Sequence, residues 1–338
     1  MKHKTRSYCA EQSVSLPAGI SQPLVSVIVP VYKVEDVLAR CLDSLCRQSL
    51  REIEIVLVDD ASPDRCGEIC EQYAAEDVRF KVIHHTENRG LSAARNTGIS
   101  HASANYLTFV DSDDFVHEDF CKLPYECAVQ QQADLVMFCF QSVDKNGSPG
   151  LKKKAENRGA GKLTRLEAID LLQNSVGNYA WNKLYRKELF HDISFPPGYL
   201  YEDVGTTYKT VWKASRIYYL NKVLYYHCYR VGSITTLKTE KSLHDSIEMT
   251  LQQYNDLTTW GYPHEKMEKL LKNIALSYCM SKKPDAADEN YIIYKKALLN
   301  SSGIPNYFTW KRKIMFLLFK YCRPLFEWVC VLYDKKIC

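Results

Sequence analysis

The sequence predicts an α/β fold: a doubly wound domain with a mostly parallel sheet flanked by helices, followed by a C-terminal helical extension. Three observations carry this. Apolar, β-branched runs recur at the length of strands buried on both faces. Stretches of helical periodicity separate them, so successive strands need right-handed crossovers and run parallel. After Ser242 the strand-like runs stop and amphipathic helical spacing takes over.

In order, Val25–Tyr32 (VSVIVPVY) reads as a buried strand, and Val34–Gln48 as a helix with Val37, Leu38, Cys41, Leu42 and Leu45 on one face. Ile53–Val58 is a second strand, ending at Asp59-Asp60. Ser62-Pro63-Asp64 marks a helix start, a cap residue followed by proline in the first turn. Phe80–His84 is a third strand, Leu91–Ser100 a helix and Tyr106–Val110 a fourth strand. Glu118–Gln131 reads as mostly helical with a break or restart at Pro124, and Leu135–Phe140 as a strand. Residues 141–162 are polar and lysine-rich, an exposed excursion before a helix over Thr164–Leu172. The stretches SLHDSIEMTLQQYNDL and HEKMEKLLKNIALSYCM have amphipathic spacing.

Composition narrows the function classes. With 46% hydrophobic and 25% charged residues in 338, the chain has ordinary globular composition and room for more than one small domain. Its 13 cysteines lack metal-site spacing, which fits a reduced, cytoplasmic chain with buried thiols. Residues 1–22 are polar, so no cleavable signal is expected, and no apolar run approaches the ~20 residues of a spanning helix. Of the net charge of +4, a local balance of +5 lies between Lys311 and Lys336. The basic character therefore belongs to the tail, and no nucleic-acid partner is expected.

Ligands of such sheets bind outside the carboxyl ends of the strands. Asp59-Asp60 and Asp111-Ser112-Asp113-Asp114 end two of them, in VLVDD and YLTFVDSDDF. Carboxylates so crowded are either solvated or matched by a cation. The first strand lacks a glycine-rich dinucleotide fingerprint, which argues against a dehydrogenase. A divalent cation, Mn²⁺ or Mg²⁺, bridging a diphosphate ligand fits oxygen donors of this kind.

Together, VSVIVPVYKVEDVLARCLDSLCRQS, IEIVLVDDASPD, NRGLSAARNTGIS and YLTFVDSDDF resemble the family 2 glycosyltransferases of GT-A fold, over roughly Pro23–Ser233. WNKLYRKELF, YLYEDVGTTYK and YYHCYRVGSIT resemble the bacterial polysaccharide and lipopolysaccharide branch. The resemblance implies an inverting transfer from a nucleotide-diphospho-sugar, UDP-linked above all, to a hydroxyl of a glycan or polyprenol-linked acceptor. It implies that Asp60, or failing it Asp59, accepts from the base edge, with Pro30, Val31 and Tyr32 as the floor beneath the base. Arg95 would lie near the base and diphosphate, its alternative being a helix-surface arginine. Asp111, with Ser112 beside it, would bind ribose or the metal's water shell, and Asp113 the metal itself. Asp114 would join them or cap the next helix. His227 would approach the metal or the β-phosphate, or be an ordinary strand residue. Arg230 and Ser233 would cover the diphosphate. Trp181, Asn182 and Lys183 would line the acceptor side, with Trp181 as plain core the alternative. In Glu202-Asp203 the aspartate would be the general base, unless both acids cap a helix near Val204.

The expected organisation is a flexible extension over 1–22, a glycosyltransferase domain over 23–235, a helical region over 236–308 and a basic amphipathic tail over 309–338. Within that domain, 23–140 would bind the nucleotide and 163–235 the acceptor. The tail mixes Trp310, Trp328 and other apolar groups with Lys and Arg, broken at Pro324. It suits a helix pair at the inner face of the cell membrane, or a packing helix closing the domain. A nucleotidyltransferase would share the aspartates but needs a glycine- and lysine-rich phosphate loop, which is missing. A non-catalytic nucleotide-sugar-binding or scaffold protein would have lost the metal aspartate or the base, and both are here.

Overall fold

Seven consecutive buried residues, Val25–Val31, make β1 the middle of the sheet, covered on both faces as its β-branched run requires. The structure, a computed structural model, describes residues 22–144, 148–154, 158–229, 239–263 and 310–334, with 266, 272, 275, 276, 298 and 299. Residues 1–21 of the N-terminal extension, Arg230, Ser233 and most of 264–309 lie outside the described residues.

After β1 come α1 (Glu35–Cys46), β2 (Ile53–Asp59), α2 (Cys66–Glu76), β3 (Phe80–His84), α3 (Leu91–His101) and β4 (Tyr106–Phe109). β2 and β4 flank β1 in parallel and β3 pairs with β2 in parallel, the predicted doubly wound half. Then follow β5 (Phe115–Val116), α4 (Lys122–Gln130), β6 (Leu135–Val143), β7 (Pro149–Lys154), β8 (Gly161–Leu163) and α5 (Arg165–Asn174). β9 (Lys183–Arg186), α6 (Thr207–Lys213) and β10 (Ile217–Cys228) complete this part. The sheet order is β3-β2-β1-β4-β9-β6-β10-β5, with β7 on β6 and β8 on β10. β9 runs antiparallel to both β4 and β6, so the second half is mixed. The four-residue β9 lies inside WNKLYRKELF, too short for periodicity to reveal.

Proline in a central strand normally costs a ladder bond. Pro30 escapes this. Ile28 O accepts from Val110 N and Val31 O from Asp60 N, so even positions of β1 face β4. β4 is paired only as far as Ile28↔Phe109, and the nitrogen of Pro30 faces a side where the ladder has ended. On the other face, Gly98 lets α3 sit close to β1: a Cβ there would lie 2.3 Å from Ile28 Cγ2. Ala94 of α3 packs with Val56 and Val58.

Three local expectations need correction. The stretch 141–162 is not a plain excursion: it holds the end of β6, all of β7 and the start of β8. The helix after β2 starts at Cys66, not at Ser62-Pro63. Asp64 does the capping: Oδ1 accepts from Cys66 N, while Oδ2 accepts from Glu35 N at the head of α1. Pro124 does not break a helix over 118–131. The helix begins at Lys122, and proline sits in its first turn, where an N–H has no intrahelical partner.

The chain divides into two compact units, Met1–Thr236 and Leu237–Cys338. In the second, α7 (Glu240–Thr259), α8 (Trp310–Tyr321) and α9 (Arg323–Asp334) are described. Thr239 caps α7 reciprocally with Ser242. Met315, Phe316, Phe319 and Phe326 of α8 and α9 are buried with Ile247 of α7, Leu276 and Leu298. Among the described residues, no helix is long and apolar enough to cross a membrane.

Candidate active site

The carboxyl ends of β1, β2 and β4 deliver the predicted groups to one rim. Four described non-glycine residues have positive φ, and three of them adjoin these groups: Lys33 (φ 53°), Ala61 (φ 55°) and Tyr201 (φ 60°). Such backbone is costly for L-residues and persists where the surroundings hold it. It turns the chain sharply just after Tyr32 and Asp60 and just before Glu202.

At the end of β1, Pro30 and Val31 are buried while Tyr32 is exposed, an apolar floor with one accessible ring. At the end of β2 the two aspartates differ. Asp59 accepts from Ser62 N (3.1 Å) and pairs with His84 Nδ1 at 2.9 Å. His84 also meets Glu71 at 2.8 Å, and hydrogen bonds to Glu71 and Asp59 raise its pKa against the cost of burial. Asp60 Oδ1 meets His85 Nδ1 at 2.6 Å and accepts from Arg89 N at 2.9 Å; its Oδ2 accepts from Asn88 Nδ2 (2.9 Å) and Gly90 N (2.7 Å). Four donors match the four lone-pair sites of a carboxylate. Asp60 thus ties the entry of α3 to the end of β2, and Gly90 accepts the position because its φ is +83°.

Arg95 is not a helix-surface arginine. It is 2% exposed, and its guanidinium bridges Asp111 Oδ1 (Nη2, 2.8 Å) and Glu202 Oε1 (Nη1). Burial works against its charge, but Asp111 and Glu202 outweigh that and its pKa rises. Phe195 and Phe109 lie 5.2 and 5.9 Å from it, enclosing the cation.

Within the acidic cluster, Asp111 and Asp113 are partly exposed and Ser112 and Asp114 buried. Asp114 does not cap α4. Its Oδ2 accepts from Tyr225 Oη (2.7 Å) and its Oδ1 from Cys228 N (2.6 Å), bracing the end of β4 against β10. Burial first, then Asp113 and Asp111, pushes its pKa well up. Tyr225 Oη also accepts from Asp111 N at 3.1 Å. His227 is held below its usual pKa by burial, although Asp111 and Asp113 pull the other way.

The acceptor-side trio is placed differently from the expectation. Trp181, Asn182 and Lys183 are 3%, 0% and 0% exposed, so none presents a face to solvent. Trp181 stacks on Tyr179 (4.6 Å) and on Tyr225 (4.1 Å), with His227 at 5.9 Å. Asn182 Nδ2 donates to Val176 O. Lys183 Nζ donates to Gly177 O, Tyr179 O and Asn182 Oδ1, and burial lowers its pKa to about 7 against the pull of Asp203. Together they support the site from below.

Glu202 and Asp203 part company. Glu202 is buried against Arg95, while Asp203 is partly exposed and its Oδ1 accepts from Val204 N at 2.8 Å. The helix expected near Val204 begins only at Thr207. Burial raises the pKa of both carboxyls, and Arg95 opposes this. Sequence reasoning missed Arg40, Asn96 and Tyr225. Asn96 stood in plain view in SAARN, but its partner, the backbone of Phe195, is 99 positions away.

Known proteins resemble this chain in sequence and in fold. The family description "Glycosyl transferase family 2" matches residues 26–194. The chain is 37% identical over 251 residues to glycosyltransferase GlyA of Streptococcus pneumoniae serotype 4, covering 72% of this chain and 36% of GlyA. It therefore spans about a third of that relative. It is 36% identical to EpsJ, an uncharacterized glycosyltransferase of Bacillus subtilis, over 68% of each chain. The crystal structure of S. aureus TarS 1-349 in complex with UDP-GlcNAc superimposes with a TM-score of 0.64, at 23% identity, over 93% of this chain and 92% of that one. This last likeness concerns the fold, a GT-A arrangement with C-terminal helices.

Proposed function

Because the chain belongs to glycosyl transferase family 2, we propose that it is an inverting, metal-assisted enzyme. It moves a sugar from a UDP-linked donor to a hydroxyl of a glycan or lipid-linked glycan. The observation that carries this is the buried Arg95, which joins Asp111 at the end of β4 to the acidic pair Glu202-Asp203. Asp111 and Glu202, 91 positions apart in sequence, are thereby joined through one buried cation.

The donor chemistry would suit a divalent cation: two partly exposed carboxylates, Asp111 and Asp113, and the imidazole of His227, whose pKa burial lowers. These residues would hold Mn²⁺ or Mg²⁺, which would supply positive charge to offset the charge on the departing nucleotide. Tyr32, Val31 and Pro30 would receive the base. Asp60, expected at the base edge, has its acceptor positions taken by His85, Asn88, Arg89 and Gly90 and holds the 88–90 turn beside it instead. Asp203 would take the proton of the acceptor hydroxyl as the new bond forms, and Glu202 with Arg95 would fix its position. Arg230 and Ser233 are assigned to the diphosphate on resemblance, and Trp181, Asn182 and Lys183 to the acceptor side as support for its floor.

The test is a thermal-shift screen of nucleotide diphosphates and their sugars, with and without Mn²⁺ or Mg²⁺. Stabilisation by a UDP-sugar only with metal is expected, about 2.7 kcal/mol at a hundred times Kd. No response to any nucleotide from folded protein would refute the proposal.

The proposal extends to a peripheral place at the inner membrane face. On α8, Ile314, Leu317 and Tyr321 are exposed at spacings of three and four, and on α9 Leu325 is exposed. Lys311, Arg312, Lys313, Lys320 and Arg323 accompany them, with no acid before Glu327. The full chain is expected to co-sediment with phosphatidylglycerol vesicles but not phosphatidylcholine ones, and to be released by salt. Equal recovery with both, or with neither, would leave α8 and α9 as ordinary packing helices.

A further inference from the structure

We propose that Arg95 and Asn96, neighbours on α3, form a two-point clamp that sets the segment 195–203, and with it Glu202-Asp203, against Asp111. The inference rests on the reading of Asp203 as the base and adds how that base is held.

The segment needs outside anchors. It has no helical or strand ladder, and it turns through Pro196-Pro197-Gly198, where Gly198 has φ +83°, and Tyr201, with φ +60°. One anchor is at its start: Asn96 Nδ2 donates to Phe195 O (2.8 Å), and Asn96 Oδ1 accepts from Phe195 N (2.9 Å). The amide thus satisfies both backbone groups of one residue, as a paired strand would. The second anchor is at its end, where Arg95 Nη1 donates to Glu202 Oε1 while Nη2 holds Asp111 Oδ1. The ring of Phe195 lies 5.2 Å from the guanidinium, so the two anchors touch each other.

The helix that carries the clamp is itself fixed. Gly98 seats α3 directly on Ile28 of β1, and Ala94 packs on Val56 and Val58 of β2. Sheet position is thus transmitted through one helical turn to the acid pair. The two residues differ in reach. The side chain of Asn96 hydrogen-bonds Phe195 of that segment, whereas Arg95 also holds Asp111, so their loss has different signatures.

Asn96→Ala is expected to lower kcat about 10- to 100-fold while leaving the donor KM within about twofold, because a displaced base loses alignment. Asn96→Asp, which keeps the acceptor for Phe195 N–H, is expected to fall between this and wild type. Arg95→Lys is expected to lower kcat and weaken the donor KM together, since one ammonium cannot hold two carboxylates as a guanidinium fork does. Hydrogen exchange in the donor-free full chain is the readout independent of turnover. The amides of Val204 and Thr207, which bond to Asp203, are expected to lose protection in both Asn96 variants. Unchanged exchange and kcat in Asn96→Ala, or a donor KM that moves as far as kcat, would overturn the clamp. If wild type transfers no sugar from any donor, the transferase reading fails by itself, and exchange at these two amides still decides the clamp.

Discussion

Asp203→Asn is expected to bind donor and metal as wild type does and to lose transfer by about 10²- to 10⁴-fold, the usual contribution of a positioned proton acceptor. The substitution is close to isosteric, and its amide oxygen still accepts from Val204 N, the hydrogen bond that Asp203 Oδ1 makes now. Fold and segment therefore stay in place, and the loss reads chemistry. The pH dependence gives a second signature. Burial raises the Asp203 carboxyl, Arg95 pulling the other way. A base works only when ionised, so transfer should climb with pH along a limb lying above the usual aspartate range near 4. In Asp203→Asn the residual rate should lack that limb. Calorimetry for donor binding and labelled-sugar transfer across pH at fixed metal separate the two effects, and full activity in the variant would remove Asp203 from the mechanism.

Asp113→Ala is expected to abolish metal-dependent donor binding while barely touching the fold. The side chain is partly exposed, and Arg40 Nη2 donates to the backbone carbonyl at 3.1 Å, a hydrogen bond that alanine keeps. Surface truncations of this kind usually fall within ±0.5 kcal/mol. The wild-type rise in melting temperature with UDP-sugar and Mn²⁺ should vanish in the variant. A rise of wild-type size would show that the cation is held elsewhere. Asp114, one position on, is a poor probe for the same question. It is 2% exposed and satisfied by Tyr225 and Cys228, so its loss would unpair buried groups and report on stability.

The nucleotide half was legible because its physics is local. Buried parallel strands must be continuously apolar, and Val25–Val31 and Ile53–Asp59 announce themselves. The observed β3 has the predicted bounds, and α3 exceeds its prediction by one residue. What escaped depends on partners far along the chain. Nothing near Arg95 shows that it will be buried between Asp111 and Glu202, 16 and 107 positions away. Aromatic WNK suggested a sugar platform because stacking on a sugar and stacking on Tyr179 and Tyr225 ask for the same residue. Asp114 failed as a cap because its pull on Tyr225 spans 111 positions.

The reversal of β9 has an architectural consequence. β6 and β4 both run antiparallel to β9, so β6 ends, and β9 begins, on the rim that carries the aspartates. The stretch from Asp144 to Asn182 therefore departs and returns on one edge, like a cassette plugged into a socket. Loop closure grows only logarithmically with length, about 0.6 kcal/mol per doubling, so the cassette's connecting turns can be lengthened at small cost, while Trp181 and Asn182 at its end stay fixed by Tyr225 and Val176. Diversification on this scaffold has an inexpensive place to act, while the β1-β2-β4 rim stays constant.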